Sequence, residues 1–215
     1  MSKDLRAEQL DQIEKITLGH YDDNAWSFWQ GTKDHDVSQN YAAFLTRFPV
    51  DKKLDILDFG CGPGRDIRYF KSLGHQPVGL DGSAAFCNMA RKYTGCEILH
   101  QQFLKLNLAS QRFDGIFANA SMFHVPSQEL PRVLQELHTA LRPGGILFTS
   151  NPRGSNEGWS DQRYGYFPEF ETAQTCLRGA GFKVLSHYYR PQGAPRAKQP
   201  WLAIVSQKLN QFPID

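Results

Sequence analysis

A short glycine-rich stretch, LDILDFGCGPGR at residues 54–65, constrains the fold of this chain more than any other feature. Its apolar half is typical of a buried strand, and three glycines follow at alternate positions, Gly60, Gly62 and Gly64. Glycine tolerates positive φ and lets the backbone approach a ligand closely. A helix after such a loop directs unpaired N–H groups and a positive dipole end at the same place. The stretch therefore predicts a strand, a ligand-binding turn and a helix.

Strands and helices alternate along most of the chain that follows. Apolar periodicity predicts strands at 54–59, 77–81, 96–99, 113–119, 146–150, 182–189 and 200–208. Capping residues and glycines predict helices from Arg65 to Leu73, from Ser83, from Ser127 to the Arg142–Gly145 turn, and from about Glu169 to Ala180. Only at the C-terminal end do two strands follow each other. We therefore predict an α/β fold, with a mostly parallel sheet, helices on both faces and a terminal antiparallel hairpin.

The chain has 215 residues, enough for one such domain with a full core. We predict a single domain over 1–215, with a core at 51–208. The first 50 residues are helical or irregular and rich in aromatics, so 1–50 are expected to form a lid. In parallel sheets ligands bind at the carboxyl ends of the strands, and the lid is expected to cover that edge.

Composition excludes several classes of function. The net charge is +2, too close to zero to indicate a nucleic-acid partner or an anionic membrane surface. No apolar run approaches the roughly 20 residues of a membrane span, and the charged N-terminus lacks the apolar core of a signal peptide. The four cysteines form no CxxC pair, which argues against a zinc site or a disulfide framework. A cytoplasmic location is the expectation.

Asp81 identifies the class of ligand. It ends the predicted second strand, 21 residues after Gly60, which is the spacing of an acid that binds a ribose. A nicotinamide site needs G-x-G-x-x-G, whereas here the third glycine comes one residue early. A Walker A loop needs GK[ST], which does not follow. A glycine turn without a ligand would leave Asp81 unexplained, so a nucleoside-like cofactor is the favoured interpretation.

These motifs together resemble the class I S-adenosylmethionine-dependent methyltransferases. The resemblance rests on Asp58–Gly64 (DFGCGPG), on Asp81 and on LRPGG at 141–145, and covers roughly residues 40–208. It implies a Rossmann-like sheet of seven strands with the last strand antiparallel. It also implies S-adenosylmethionine as the cofactor and S-adenosylhomocysteine as its product.

The resemblance further implies which residues bind the cofactor. The glycine loop is expected to hold the methionine end, and the acid after the second strand the ribose. The family usually has an acid near the adenine amino group after the third strand, where this chain has Gln102 and Phe103. The expected cofactor residues are Asp58, Gly60, Cys61, Gly62, Gly64, Asp81, Gly82, Ser83, Gln102, Phe103 and Asn119.

The acceptor side is expected in the lid and in the loops after the fourth and fifth strands. In the lid, Trp29 and Thr32 lie among polar neighbours typical of a substrate cover, whereas Trp26 and Phe28 suit a helix docking on the sheet. Later in the chain the candidates are Asn151, Arg153, Tyr164 and Tyr189. Arginine can hold a carboxylate in a bidentate pair, although Arg153 also suits a solvated loop.

Several longer strings resemble a narrower family. FWQGTKDHDVSQN, LDFGCGPGRD, FDGIFANASMFHVPSQELPRVL, LFTSNPRG and HYYRP are similar to the methyltransferase domain at the C-terminus of ovothiol synthases. That resemblance spans roughly 20–205 and implies methylation of an imidazole ring nitrogen of 5-thiohistidine, giving ovothiol A. The partner implied is a small amino-acid-like molecule, with a sulfoxide synthase partner or domain upstream in the pathway.

Methyl transfer to such an acceptor requires alignment more than a strong base. The candidates for orienting the imidazole are Tyr21, His35, Asn119 and His124. The candidates for accepting hydrogen bonds from the ammonium group of the amino acid are Asp34, Asp36 and Asn151. Asn119 also suits a side chain that satisfies the loop backbone, and His124 a histidine packed under the lid. The alternatives left open are a methyltransferase for another small thiol, selenol or metalloid, one for a modified tRNA base, and a non-catalytic cofactor-binding module.

Overall fold

A computed structural model describes residues 4–209 of the chain. The two ends of the predicted 1–215 domain, residues 1–3 and 210–215, lie outside the described residues. Over 4–209, no helix combines the length and the apolarity needed to cross a membrane.

Seven helices and nine strands form along the described part of the chain. The helices are α1 (Ala7–Asp23), α2 (Ala25–Thr32), α3 (Ser38–Leu45), α4 (Arg65–Ser72), α5 (Ala84–Thr94), α6 (Leu130–Ala140) and α7 (Phe170–Gly179). The strands are β1 (Asp55–Phe59), β2 (Gln76–Asp81), β3 (Ile98–His100), β4 (Phe113–Asn119), β5 (Leu141–Pro152), β6 (Asn156–Ser160), β7 (Arg163–Phe167), β8 (Phe182–Arg190) and β9 (Trp201–Lys208).

The main sheet has seven strands in the order β3-β2-β1-β4-β5-β9-β8. The first five strands of this order pair in parallel, and β9 pairs antiparallel with both β5 and β8. Strand order reverses between β1 and β4, so the carboxyl ends of these two strands diverge around a crevice. The predicted Rossmann-like sheet with a terminal antiparallel pair is confirmed.

The sheet buries apolar side chains on both faces because successive side chains of a strand point in opposite directions. On one face, Leu57 packs with Val133 and Leu137 of α6. On the other face, Ile56 packs with Phe44 of α3 and Phe70 of α4. Helices on both faces, as the alternating pattern predicts, follow from this division.

The first 50 residues do not act as one unit. Helix α3 is part of the core, because Phe44 is fully buried against Phe117 and Phe148. A Cβ on Gly115 would meet the Phe44 ring at 2.5 Å, so the bare strand lets the helix approach closely. Helices α1 and α2 alone lie over the carboxyl edge of the sheet, and the expected lid is restricted to them.

Two local predictions are wrong in detail. The stretch after β5, expected to be an irregular loop, forms the antiparallel hairpin β6–β7. Helix α6 begins at Leu130 rather than at Ser127. The Ser127 backbone N–H and hydroxyl donate to the Glu157 carboxylate of β6 at 2.8 and 2.5 Å, so this serine anchors the hairpin instead of capping the helix.

Candidate active site

A cavity of about 630 Å³ lies at the carboxyl edge of the sheet. The glycine loop after β1, the end of β2 and the end of β4 form its floor, and α1 and α2 form its roof. Its size falls within the range of about 300–1,000 Å³ that is usual for small-molecule sites.

The glycine loop is shaped for close approach. Gly60, Gly62 and Gly64 all have positive φ, at 77°, 51° and 97°. A Cβ on Gly60 would overlap the Cβ of Ser121 and approach the Phe103 ring at 3.0 Å. A side chain at this position is therefore excluded by both the backbone conformation and the neighbours.

Asp81 holds the loop and faces the cavity. Its carboxylate accepts hydrogen bonds from the backbone N–H groups of Gly62 (2.9 Å) and Ser83 (2.8 Å). Burial raises the pKa of Asp81 to about 6, and these two donors act in the opposite direction. Each carboxylate oxygen keeps a further lone pair, so Asp81 can accept hydrogen bonds from the two hydroxyls of a ribose.

An aromatic and acidic subsite lies beside Asp81. The Phe103 ring stacks on Phe59 with centroids 4.3 Å apart and lines the cavity. Glu14 of α1 also lines the cavity and accepts a hydrogen bond from the Leu104 backbone N–H at 3.1 Å. Burial raises the pKa of this carboxyl. The acid on this side of the cleft is therefore supplied by α1, whereas Gln102 does not line the cavity.

Helix α1 is fastened over the cleft by its C-terminal turn. The Asp22 carboxylate accepts hydrogen bonds from the Ser83 hydroxyl (2.6 Å) and the Ala85 backbone N–H (3.0 Å) at the start of α5. The Leu18 side chain lies directly on Gly82, where a Cβ would meet it at 2.7 Å. Helix α1 is therefore held at two points above the cleft.

Tyr21 and His124 form a fixed pair at the wall of the cavity. The Tyr21 hydroxyl lies 2.7 Å from His124 Nε2, and His124 Nδ1 lies 2.7 Å from the Tyr164 carbonyl oxygen. A carbonyl can only accept, so Nδ1 carries the proton and Tyr21 donates to Nε2. Burial lowers the pKa of His124 to about 4, so the ring stays neutral and orients the Tyr21 hydroxyl.

Asn119, at the end of β4, is oriented by a chain of hydrogen bonds. Its Nδ2 donates to Asp66 at 3.2 Å, and its Oδ1 accepts from Asn40 Nδ2 at 2.9 Å. The Tyr188 hydroxyl donates to Asn40 Oδ1 at 2.7 Å. Arg65 pairs with Asp66 through two guanidinium nitrogens at 2.6 and 3.0 Å. The Asn119 amide is therefore held in one orientation, facing the cavity.

The structure brings most of the predicted cofactor and methyl-transfer residues to one cavity. Those that line it are Tyr21, His35, Gly60, Cys61, Gly62, Asp81, Gly82, Phe103, Asn119 and His124. Trp29 and Thr32, two predicted substrate residues from α2, line it as well. Their individual roles remain proposals.

Four predicted cofactor residues lie outside the cavity lining. Asp58 is buried beneath the loop, and Gln102 lies beside the cleft without lining it. Gly64 directly precedes α4, and a Cβ there would meet Thr94 of α5 at 2.8 Å. The absence of a side chain at Gly64 therefore lets α4 and α5 pack closely. Ser83 caps α5 by accepting from the Phe86 N–H at 3.1 Å. These residues support the site from behind.

Four predicted substrate residues also lie outside it. Asn151 accepts a hydrogen bond from the Phe123 N–H at 3.3 Å, and Tyr164 is buried with its ring against Trp159. Tyr189 is covered by the Arg196 guanidinium, 2.9 Å from the ring centroid. Each side chain is thus engaged by protein neighbours away from the cavity.

Arg153 is the clearest correction. Its guanidinium donates to the Glu169 carboxylate at 2.7 Å and to the carbonyl oxygens of Gln199 and Arg196, both at 2.8 Å. It therefore ties β5 to the loop before β9 and does not line the cavity. The structure therefore does not bring Arg153 to the cavity, contrary to its predicted role in binding a carboxylate.

Sequence reasoning missed several charged residues of the cavity, namely Glu14, Arg65, Asp66, Arg163 and Arg190. Position supplies a signal for some of them. Arg65 and Asp66 directly follow the glycine loop, and Arg190 ends β8, which runs parallel to β1. Residues at the carboxyl ends of parallel strands share one edge of the sheet. No local pattern marks Glu14 or Arg163.

Comparison with known proteins agrees with this geometry. A family model described as a methyltransferase domain matches residues 56–145, the segment that contains the glycine loop, Asp81 and Asn119. Residues 56–145 of the chain are thus similar to a methyltransferase domain. The predictions of a methyltransferase domain and of S-adenosylmethionine as its cofactor agree with this match.

Curated relatives share this methyltransferase domain over about half of their length. The chain is 35% identical over 106 residues to malonyl-[acyl-carrier protein] O-methyltransferase of Enterobacter lignolyticus, covering 49% of this chain and 41% of that protein. It is 35% identical over 115 residues to trans-aconitate 2-methyltransferase of Azoarcus sp., covering 53% of this chain and 45% of that protein. The relatives act on different acceptors, so their names do not identify the acceptor here.

Solved structures extend the likeness beyond the matched segment. A Burkholderia thailandensis 1,6-didemethyltoxoflavin-N1-methyltransferase, with bound 1,6-didemethyltoxoflavin and S-adenosylhomocysteine, superposes with a TM-score of 0.78 at 20% identity, over 98% of this chain and 94% of that one. An S-adenosylmethionine-dependent methyltransferase from Mesorhizobium loti superposes with a TM-score of 0.67 at 20% identity, over 79% of this chain and 97% of that one. At this identity the likeness establishes the fold of the methyltransferase domain.

Proposed function

We propose that this chain is an S-adenosylmethionine-dependent N-methyltransferase that methylates an imidazole ring nitrogen of 5-thiohistidine, giving ovothiol A. The observation that carries the proposal is the continuity of one cavity. It runs from the glycine loop and Asp81 to a chamber where Tyr21 and Asn119 present fixed polar groups. A cofactor and one small acceptor fit a space of about 630 Å³.

The residues present fit the cofactor. Asp81 offers acceptor positions to a ribose, and the bare loop at Gly60 and Gly62 admits the methionine end. Phe103 offers a ring face to the adenine, and Glu14 offers a carboxylate on the same side of the cleft. When bound, S-adenosylmethionine supplies an electrophilic methyl group on a sulfonium.

The chain itself has to align the acceptor and exclude water. Correct alignment of two reactants supplies up to about 7–11 kcal/mol of the barrier in favourable cases. The Asn119 amide and the Tyr21 hydroxyl are both held by hydrogen bonds, so they can fix a ring nitrogen without reorganising. His124 is neutral with both ring nitrogens engaged, which suits positioning of Tyr21 rather than removal of a proton.

The choice of 5-thiohistidine rests on the strings that resemble the ovothiol synthase domain, several of which reach the cavity. HDVSQN contributes His35 and Asp36, FANASMFH contributes Asn119 and His124, and HYYRP contributes Arg190. The Burkholderia thailandensis neighbour is named for methylation at a ring position of a heterocycle, which is consistent with an N-methyl transfer on this fold. The proposal implies a sulfoxide synthase partner or domain upstream in the pathway.

The test is a methyl-transfer assay with 5-thiohistidine. We expect release of S-adenosylhomocysteine and addition of one methyl group to a ring nitrogen, located by mass spectrometry and NMR. L-Histidine serves as the acceptor control, and Asp81→Asn as the control for the cofactor site.

Other outcomes would replace the proposal. Methylation on sulfur would indicate a thiol methyltransferase. Turnover only with another acceptor in a panel of small thiols, selenols and acids would discard 5-thiohistidine. Cofactor binding without turnover on any acceptor would favour a non-catalytic module.

A further inference from the structure

Arg190 is a cation of the cavity that lacks an acidic partner. It ends β8 at the carboxyl edge of the sheet and lines the cavity. Its guanidinium lies over the Trp201 ring, 5.6 Å from the centroid. The Nε atom is buried, and among residues 4–209 no acceptor bonds to it. Burial lowers the pKa of Arg190, which shows that this charge is poorly solvated.

The other arginines of the cavity are differently placed. Arg65 is bound in a bidentate pair with Asp66, which also receives the Tyr41 hydroxyl at 2.6 Å. Arg163 also has a buried Nε without an acceptor among residues 4–209, but its guanidinium engages the Tyr21 hydroxyl and opposes the rise in the pKa of Tyr21 that burial causes. Arg190 is therefore the cavity arginine best placed to take an anionic group from a ligand.

A carboxylate of the opposite sign lies near Arg190 at the mouth of the same cavity. Asp36 is exposed, and one of its oxygens accepts a hydrogen bond from the Ser38 N–H at 2.9 Å. The charges of Asp36 and Arg190 favour each other, but the two side chains form no ion pair within the described part of the chain. Two neighbouring unpaired charges of opposite sign match the two charges of a zwitterion.

Arg190 lies on the same strand as Tyr188, which belongs to the hydrogen-bond chain that orients Asn119. Tyr188 and Arg190 lie two residues apart on β8, so their side chains share one face of the strand and are about 7 Å apart. The Tyr188 hydroxyl binds Asn40, which in turn binds Asn119. A ligand held at Arg190 by its carboxylate can therefore extend a short side chain toward the Asn119 amide.

We propose that Arg190 and Asp36 form a clamp for the α-amino acid end of the methyl acceptor. The guanidinium binds the carboxylate, Asp36 binds the ammonium, and the ring points inward to Asn119. The clamp rests on the proposed function for the identity of the ring that it presents. It also assigns the carboxylate to a residue other than Arg153.

The test removes one charge at a time, either from the ligand or from the protein, and compares the effects on binding. The three ligands are 5-thiohistidine, its decarboxylated amine, and its deaminated propanoate. Binding of each is measured by calorimetry to protein saturated with S-adenosylhomocysteine, for the wild type and for Arg190→Gln and Asp36→Asn. Arg178→Gln and Asp51→Asn are the matched controls, because both residues are exposed and neither lines the cavity.

The expected pattern is selective. Arg190→Gln should lower the affinity for 5-thiohistidine and for the propanoate by about 10- to 100-fold, because a charge-assisted pair is lost. The affinity for the amine should stay unchanged. Asp36→Asn should lower the affinity for 5-thiohistidine and for the amine by about 3- to 10-fold. This effect is smaller than that of Arg190→Gln because Asp36 is exposed, and the affinity for the propanoate should stay unchanged. Affinity for S-adenosylhomocysteine and the melting temperature should stay at wild-type values in both variants.

The outcomes separate this proposal from the proposed function. If Arg190→Gln lowers the affinity for all three ligands equally, or for none of them, the proposed clamp is wrong even where methyl transfer to 5-thiohistidine is observed. If the selective pattern appears but no methyl is transferred, the clamp stands and the acceptor is another α-amino acid. Absence of binding by all three ligands to the wild type would overturn both.

Discussion

At the scale of single residues, the protonation of the buried Asp81 carboxyl makes both the free energy of folding and the binding of a ligand depend on pH. Its carboxylate is 8% exposed and has two backbone N–H donors, yet burial still raises its pKa to about 6. A raised pKa means that the ionised group costs folding free energy above that pH, and the cost disappears as the carboxyl is protonated at lower pH. In the proposed cofactor site the binding of the ligand would have the opposite dependence, because ribose hydroxyls would donate to the ionised form of Asp81.

We therefore predict that the affinity for S-adenosylhomocysteine falls as the pH is lowered through about 6, the pKa of Asp81. Calorimetric titrations between pH 5 and 8 would measure this, on the order of tenfold per pH unit below the pKa. Asp81→Asn should bind about 10- to 100-fold more weakly at neutral pH and lose most of the pH dependence. An unchanged dissociation constant in Asp81→Asn would refute the ribose role.

At the scale of elements, the Asn119 amide depends on a helix and two strands that are distant in sequence. Tyr188 of β8 binds Asn40 of α3, and Asn40 binds Asn119 of β4. Asn40 is fully buried, so its amide has no water to replace a lost partner. Helix α3 thus contributes both to the core, through Phe44, and to the orientation of a group in the cavity.

Removal of the Tyr188 hydroxyl should therefore slow methyl transfer without affecting the cofactor. We expect Tyr188→Phe to lower kcat by about 3- to 10-fold, the effect of one buried hydrogen bond, with unchanged affinity for S-adenosylhomocysteine. Tyr189→Phe is the matched control on the opposite face of β8, where the ring is covered by Arg196. Equal effects of the two substitutions on kcat would show that Asn119 is not positioned through this chain.

At the scale of the whole molecule, the site exists only because α1 is docked on the sheet. Helix α1 supplies Glu14, Leu18 and Tyr21 to the cavity, and its end is fastened at the N-terminus of α5 by Asp22. The position of Asp22 at that N-terminus is also favoured by the dipole of α5.

Loosening this contact should weaken cofactor binding although Asp22 does not line the cavity. We predict that Asp22→Asn raises the dissociation constant of S-adenosylhomocysteine by about tenfold, the loss of charge-assisted hydrogen bonds at 2.6 and 3.0 Å. Amide hydrogen exchange in α1 should become faster in this variant. Asp23→Asn, one residue along and exposed, should change neither quantity; faster exchange in both variants would contradict the docking role.

Local sequence was sufficient for the backbone of the site. The spacing of Gly60, Gly62 and Gly64 follows from a turn that needs positive φ, and the position of Asp81 follows from the length of one strand–helix–strand unit. These requirements act over a few residues, so they are legible in the sequence. The class of fold and the cofactor follow from them.

The pairing of charged side chains was decided by the tertiary structure. Arg153 and Arg190 look alike in sequence, but Glu169 engages the first, while the second lines the cavity. Glu14 reaches Leu104 across 90 residues of chain. The role of a charged side chain depends on which group of opposite sign lies next to it. The order of the strands in the sheet, and not the spacing in the sequence, brings that group into contact. The sequence by itself determined the glycine loop and the position of Asp81, because both depend on contacts over a few residues, whereas the packing of α1, α3 and β8 decided which other side chains reach the cavity.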